Sequence, residues 1–329
     1  MELFDDIIRL SLSDAQGMKL TKYQQLNQLT SEGIDEERNH INSLFSKVAD
    51  KDKRKFKKDL ISDYDSGKFE LEVYESFIRH GFRISKDLDY NGKTPDLTIE
   101  KDGHKFIVEC TLLRPPVNEV AYENLRNAIK ANINKLQVPN RGINIISMKL
   151  LTNNQPSVKG FIRHLENTLP TQTFNELQIF KGNDYLIEYK PYEVKSSKTP
   201  LIVASMSETR VVGGYHDAER FRDSFVAKAK KYKDIGLPYI ICIKSLDFYV
   251  SKEDIWTAIQ GGSVYNLDTK ETSMMNDGIF TSPTKSYERV SAIMYKTGNS
   301  DLHMVLNPRA KTSFPMGLLT KQTNDSQNN

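Results

Sequence analysis

Three acidic residues within positions 69–114 have the types and spacing to gather hard oxygen ligands. Glu70 lies in FELEVYESFIRHGF, Asp96 follows Pro95 in TPDLTIE, and Glu109 precedes Cys110 and Thr111 in KFIVECTLLR. A cluster of such carboxylates selects Mg²⁺ or Mn²⁺ over zinc. An ion held there positions a water, lowers its pKa and neutralises charge developing on a phosphate oxygen. An ammonium nearby adds positive charge at the same point. That is the chemistry of phosphodiester hydrolysis. The candidate ammonium is Lys228, in AERFRDSFVAKAKKYKDIG. Phe221, Phe225, Lys228 and Tyr232 fall at i, i+4, i+7 and i+11, one face of a helix. A lysine in an aromatic stripe either snorkels, keeping its ammonium in water, or delivers that ammonium to a polar cleft. The spacing leaves both readings open. Lys230 and Lys233 lie off the stripe.

These residues need elements to position them. The pattern predicts a helix over 68–80, with Leu71, Tyr74, Phe77 and Ile78 as its apolar stripe. Glu70 borders that stripe and is the glutamate turned toward the sheet. Glu72, Glu75 and Arg79 are expected on the solvated face, and Gly81 ends the helix. A strand over 104–112 alternates. Phe106, Val108, Cys110 and Leu112 point to the core, while Glu109 and Thr111 share the opposite face. In the preceding strand Asp96, Thr98 and Glu100 share a face, with Leu97 and Ile99 opposite. Residues 101–103 read as the turn of a hairpin between the two strands. Further on, helices are expected over 118–137, 157–169 and 252–260, and a helix then an apolar strand over 218–244. Strands are expected over 143–151, near 278–280 and over 290–295, and a hairpin over 177–194. Residues 207–217 and 307–315 read as loops. Strands alternating with helices indicate an α/β fold with a mixed sheet.

Residues 1–66 read as a separate helical region, with a turn and module boundary at 63–67 (DYDSG). The basic run KDKRKFKK over 51–58 reads either as a solvated helix face or as a phosphate-contacting patch. Residues 67–320 are expected to form the main domain, and 321–329 a polar, disordered tail.

A helical Glu, then Pro-Asp, then an acid two residues before a lysine-like position resembles the PD-(D/E)xK nuclease superfamily. In that resemblance Glu70 matches the helical acid, Asp96 the aspartate and Glu109 the acid of the tripeptide. Thr111 stands where the family has lysine. Some branches supply that lysine from a helix, which directs attention to Lys228. The resemblance covers 69–114 well and 218–244 in part, and is similar to standalone bacterial members ending in Glu-x-Thr. It implies a restriction-endonuclease-like core, a mixed central sheet flanked by helices. It further implies catalytic Glu70, Asp96, Glu109 and Lys228, with Mg²⁺ or Mn²⁺ on the three acids. The implied activity is an endonuclease hydrolysing DNA, in a bacterial or mobile-element defence role. Nucleic acid is then the main partner. A partner protein or a second copy, engaged through the N-terminal helices, is the further partner expected. The alternative is a decayed nuclease fold serving as a nucleic-acid-binding or protein-interaction module.

Composition bounds these readings. The chain has 329 residues, 27% charged and 38% apolar, so it is an ordinary globular protein able to bury a sizeable core. A net charge of +3 gives no strong overall basic field, and nucleic-acid binding must rest on local patches. Cys110 and Cys242 lie in apolar runs and are expected as reduced core residues in the cytoplasm. No apolar run is long enough for a membrane span, and MELFDDII carries acid where a signal peptide carries base. The six histidines show no zinc-ligand spacing. GxxxxGK[ST] and GxSxG are both absent, which argues against a P-loop NTPase and against one route to a serine hydrolase.

Overall fold

The computed structural model describes residues 1–319 apart from 16–17, 87, 91, 134, 137, 139, 153, 195–202, 207–214, 233–235, 248–249, 266–268, 284–286 and 299. The chain divides into two compact units, one made of Met1–Arg114 with Gly213–Asn329, the other of Pro115–Val212. The second is an insertion into the first. The tail expected over 321–329, and most of the loop expected over 207–217, lie outside the described residues.

The first unit begins with β1 (Leu10–Ser11), α1 (Lys22–Gln28) and β2 (Leu29–Thr30), then α2 (Glu32–Ser46), α3 (Asp50–Ser62) and α4 (Tyr64–Arg79). Thr21 and Gln24 form a capping box that starts α1. The turn expected over 63–67 is instead the start of α4. Asp63 caps it by accepting the Ser66 amide, so the helix begins four residues earlier than periodicity indicated. Residues 1–66 are not a separate body. Leu26, Ile41, Phe45, Phe56 and Leu60 share one apolar cluster with Phe69, Val73 and Phe77 of α4 and with strand residues of the sheet.

Next come β3 (Arg83–Ser85), β4 (Leu97–Lys101) and β5 (His104–Leu113). Asp102 and Gly103 both have left-handed backbone, with φ of +50° and +78°, which closes the expected β4–β5 hairpin tightly. The inserted unit then supplies α5 (Val117–Ile133), β6 (Arg141–Leu150), α6 (Lys159–Thr168), β7 (Gln178–Lys181), β8 (Tyr185–Glu193) and β9 (Val203–Met206). Its four strands run in the order β7-β8-β6-β9. Leu125, Ile129, Phe161 and Leu165 of its helices pack with Ile143, Ile145, Ile187 and Tyr189 of the sheet.

The first unit resumes with α7 (Tyr215–Ala229), β10 (Tyr239–Ser245), α8 (Lys252–Gln260), β11 (Ser263–Tyr265), β12 (Thr272–Met274), β13 (Val290–Thr297) and β14 (His303–Leu306), followed by a 3-10 turn at Met316–Leu319. The strand expected near 278–280 is a turn whose amides bond the carbonyls of Ala258 and Ile259 at the end of α8.

The main sheet is mixed, in the order β14-β13-β10-β5-β4-β3. β10 runs parallel to both β5 and β13, while β3, β4 and β14 pair antiparallel. Both faces are covered. Phe106, Val108 and Cys110 of β5 pack with α4, while Ile107 and Leu113 pack with Phe221 and Phe225 of α7. The Glu109 face, expected to lie away from the core, is therefore core as well. β5 is a central strand, and central strands are buried on both sides. No helix among the described residues is long and apolar enough to cross a membrane.

Candidate active site

The β4–β5 ladder brings the two strand acids together. Leu97 pairs with Val108, so one step further Asp96 stands opposite Glu109, beyond the last ladder pair. Asp96 Oδ2 accepts the Cys110 amide at 2.7 Å, which satisfies a main-chain donor that the hairpin leaves unpaired.

Glu109 is fully buried, on the side of the sheet that α7 covers. A buried carboxylate needs partners, and three donors converge on this one. Lys228 Nζ lies 2.9 Å from Oε2, while Lys231 Nζ at 2.5 Å and Tyr232 Oη at 2.6 Å both donate to Oε1. Lys228 also lies 3.5 Å from Asp96 Oδ2, at the edge of hydrogen-bond reach. The cleft alternative for this lysine thus matches its position, and the aromatic stripe explains how. Phe221 and Phe225 are fully buried, which fixes the face of α7 and aims Lys228 at the strand acids. Burial pushes the Glu109 carboxyl up, but the Lys228 charge and the three hydrogen bonds outweigh it and hold the group below its usual range. Burial pushes Lys228 down, and the charges of Asp96 and Glu109 reverse that and raise it. Lys228 is consequently a cation throughout the neutral range, not a base.

Glu70 comes from α4, on the other face of the sheet. It meets an acid and a base that the sequence reading passed over. The Lys86 ammonium, just after β3, is buried over the Phe56 ring and lies 2.6 Å from Glu70 Oε2 and 2.7 Å from Asp59 Oδ2. Burial raises the Glu70 carboxyl to about 7, opposed by Lys86 and reinforced by the charges of Asp96 and Asp59.

Glu70, Asp96, Thr111, Arg114 and Lys228 line one pocket of about 280 Å³, together with Ser66, Phe69, Cys110 and Leu112. A larger hollow of about 620 Å³, beside Arg222 and Asp277, lies away from these acids. Thr111, at the position of the missing motif lysine, is half-buried on the pocket wall. Cys110 and Cys242 are free buried thiols, adjacent across the β5–β10 pair.

The structure therefore brings Asp96, Glu109 and Lys228 together and sets Glu70 on the same pocket. It does not close the three acids into a cage. Among the described residues, no group of three or more His, Cys, Asp or Glu side chains is placed to hold a metal ion. The reason is visible in the ammoniums, since Lys228 and Lys231 engage both oxygens of Glu109 and Lys86 engages one oxygen of Glu70. The donor chemistry still fits a hard divalent cation. The second oxygens of Asp96 and Glu70 accept no hydrogen bond among the described residues, and carboxylate oxygen is the ligand such ions take. Four carboxylates (Asp59, Glu70, Asp96, Glu109) face three ammoniums (Lys86, Lys228, Lys231). The group is left with one surplus negative charge, which adds to burial, the main cause, in raising the Glu70 carboxyl.

Glu72 and Glu75, expected in solvent, are instead in ion pairs. Glu72 meets Lys244 at 3.0 Å and Lys296 at 3.1 Å, and Glu75 meets Lys47 at 3.0 Å and Arg79 at 2.8 Å. No family model, curated protein or solved structure matches the chain.

Proposed function

We propose that the protein is a metal-dependent endonuclease that hydrolyses phosphodiester bonds in DNA, built on a PD-(D/E)xK core. The observation that carries this reading is the Lys228 ammonium, 2.9 Å from Glu109 and 3.5 Å from Asp96 across more than a hundred residues of sequence. The order α4–β3–β4–β5–α7–β10, an antiparallel set joined by a helix to a parallel strand, is a mixed central sheet flanked by helices, as the resemblance implies.

Asp96 and Glu70 would hold a magnesium or manganese ion at the pocket, with Glu109 completing the acidic set. When bound, that ion supplies charge neutralisation and an activated water. Lys228 stays protonated and sets a positive charge beside the phosphate, where negative charge grows as water oxygen bonds phosphorus and the bond to the leaving sugar oxygen breaks. Lys231 and Tyr232 hold Glu109 in place from below. Glu109 in turn positions Lys228. Arg114, paired with Asp63 at 2.6 Å, borders the same pocket and adds a second cation at its rim.

The test is cleavage of plasmid and linear DNA with Mg²⁺ by the wild type and by the Asp96→Ala and Lys228→Met variants. Removing one preorganised charge-stabilising group lowers the rate on the order of 10²–10³-fold. Undiminished cutting by folded samples of both variants would overturn the site assignment. A second reading, a decayed nuclease fold that binds nucleic acid or protein, draws on Thr111 and on the three donors that already occupy Glu109. Calorimetric titration with Mn²⁺ separates the two readings. Saturable binding that Asp96→Ala abolishes supports the enzyme, and no binding supports the module.

A further inference from the structure

We propose that the exposed face of α3 is a track for the phosphate backbone of a nucleic-acid duplex, feeding the pocket at Glu70 and Asp96. The proposal rests on the nuclease reading for its choice of partner, and on separate observations for the surface itself.

α3 reads DKDKRKFKKDLIS, with six basic side chains against three acidic ones. Its surplus equals the +3 of the entire chain, so the remainder is balanced and this helix holds the excess. Lys51, Arg54, Lys55 and Lys58 fall at i, i+3, i+4 and i+7 and form one stripe. The opposite side, Asp52, Phe56 and Leu60, is buried. Burial of that side forces the basic stripe outward, with Lys51, Arg54 and Lys58 exposed.

The helix's own acids do not cancel the stripe. Asp52 is buried, Asp50 pairs with Lys53 at 2.7 Å, and Asp59 is held by Lys86 at 2.7 Å. Lys57, off the stripe, meets Asp5 at 3.8 Å. Arg54 and Lys58 make no ion pair among the described residues. A solvated helix with no partner ordinarily carries mixed charges, which support it through i to i+4 pairs. Here Lys51, Arg54 and Lys58 share an exposed face, at a cost in self-repulsion that a polyanion would relieve.

The stripe also borders the site. Lys51 Nζ donates to Ser85 Oγ at 3.1 Å, and the next residue is Lys86, whose ammonium bonds Glu70 at 2.6 Å. Along α3, Lys51 to Lys58 spans about 10 Å at ~1.5 Å per residue. That matches about three steps of a duplex at ~3.4 Å each. A duplex laid along the stripe therefore meets several phosphates before it reaches the pocket. Arginine and lysine contacts to phosphate bind without regard to base sequence, so the track supplies affinity and register.

The experiment measures binding of a fluorescein-labelled DNA duplex of random sequence by anisotropy, with EDTA present so that no cutting occurs, over a range of salt. The full-length wild type is compared with Lys51→Gln/Arg54→Gln/Lys58→Gln. A second variant, Arg54→Gln/Lys58→Gln, keeps the Lys51–Ser85 bond. A charge-matched control, Lys252→Gln/Lys270→Gln/Lys311→Gln, removes three exposed lysines elsewhere in the same unit. Each phosphate contact contributes ~0.9 to the slope of log affinity against log salt. The triple stripe variant is expected to lose about 2.7 of that slope and the double about 1.8 if every charge meets a phosphate, and the control close to none. Equal losses in control and stripe variants, or an unchanged slope in both stripe variants, overturn the track. If the track variants lose slope but the wild type does not cut DNA with Mg²⁺, the nuclease reading falls and the binding surface stands. A wild type that cuts while the stripe variants keep the full slope overturns the track alone. A wild type that does not bind the duplex overturns both.

Discussion

Replacing Lys228 by Met keeps the stem that packs along α7 and removes the charge beside Glu109. The Glu109 carboxylate is fully buried, and breaking a buried pair costs about 3–5 kcal/mol when the remaining charge is left uncompensated. Here Lys231 at 2.5 Å and Tyr232 at 2.6 Å remain, so the loss is closer to one charge-assisted hydrogen bond, about 1.5–3 kcal/mol. In a unit formed by Met1–Arg114 and Gly213–Asn329 each kcal/mol moves Tm by roughly 2–4 °C, giving a fall of about 3–12 °C. The pair itself is isolated by a cycle with Glu109→Gln. If the two groups interact as placed, the double variant is less destabilised than the sum of the singles by ~1 kcal/mol or more. The sign with pH also follows. The folded Glu109 carboxyl lies below its unfolded value of ~4.3, so its contribution is complete above that pH and is lost as pH falls through the folded value. Lys228→Met raises the folded value, so acid unfolding begins at higher pH. Urea denaturation at pH 7, and across the acid range, measures both effects. Additive singles within ~0.5 kcal/mol, with an unshifted acid limb, would refute the placement of the lysine.

Two further outcomes test neighbouring features. The Glu70 carboxyl is raised to about 7, so the folded chain holds that proton more tightly than the unfolded one. Stability should therefore fall as pH rises from ~4.3 toward 7, and Glu70→Gln should flatten that limb in urea midpoints. A limb of equal steepness in the variant argues against the shift. Gly67→Ala in α4 would ordinarily gain about 1 kcal/mol of helix propensity. A methyl there would sit 2.8 Å from the Leu60 main-chain nitrogen of α3, so the sign should reverse to a loss of about 1–3 kcal/mol. An equal or higher Tm in the variant refutes that close approach.

The parts of the site legible in the sequence are those set by periodicity within one element. Phe221, Phe225 and Lys228 were readable because α7 is regular through Ala229 and its aromatic face must be buried. Lys231 was not, because the helix has ended and the following turn breaks the spacing. Lys86 follows a strand of only three residues, which has no pattern from which to infer a direction. Alternation placed Glu109 opposite Cys110 correctly, but it cannot say that a second helix layer covers that face. Glu72 and Glu75 look like solvated residues to any local rule. Their burial comes from Lys47, Lys244 and Lys296, which approach from other elements. The joining of residues 1–66 to the main core is likewise tertiary. The polar turn signals of DYDSG serve equally well as a helix cap.

The place of β10 bears on how the chain is made. Ribosomal synthesis delivers β5 early, and its partner at the centre of the sheet only after about 125 more residues, the stretch from Leu113 to Tyr239. At roughly 5–20 residues per second that interval lasts on the order of 6–25 s. Throughout it β5 has one open edge, on a strand carrying Phe106, Ile107, Val108, Leu112 and Leu113, of the kind that pairs promiscuously with other chains. The acids of the pocket are already present in this nascent form and Lys228 is not. A growing chain therefore emerges with Glu70 already facing Lys86, while Asp96 and Glu109 gain the Lys228 ammonium only when α7 and the closing strand arrive.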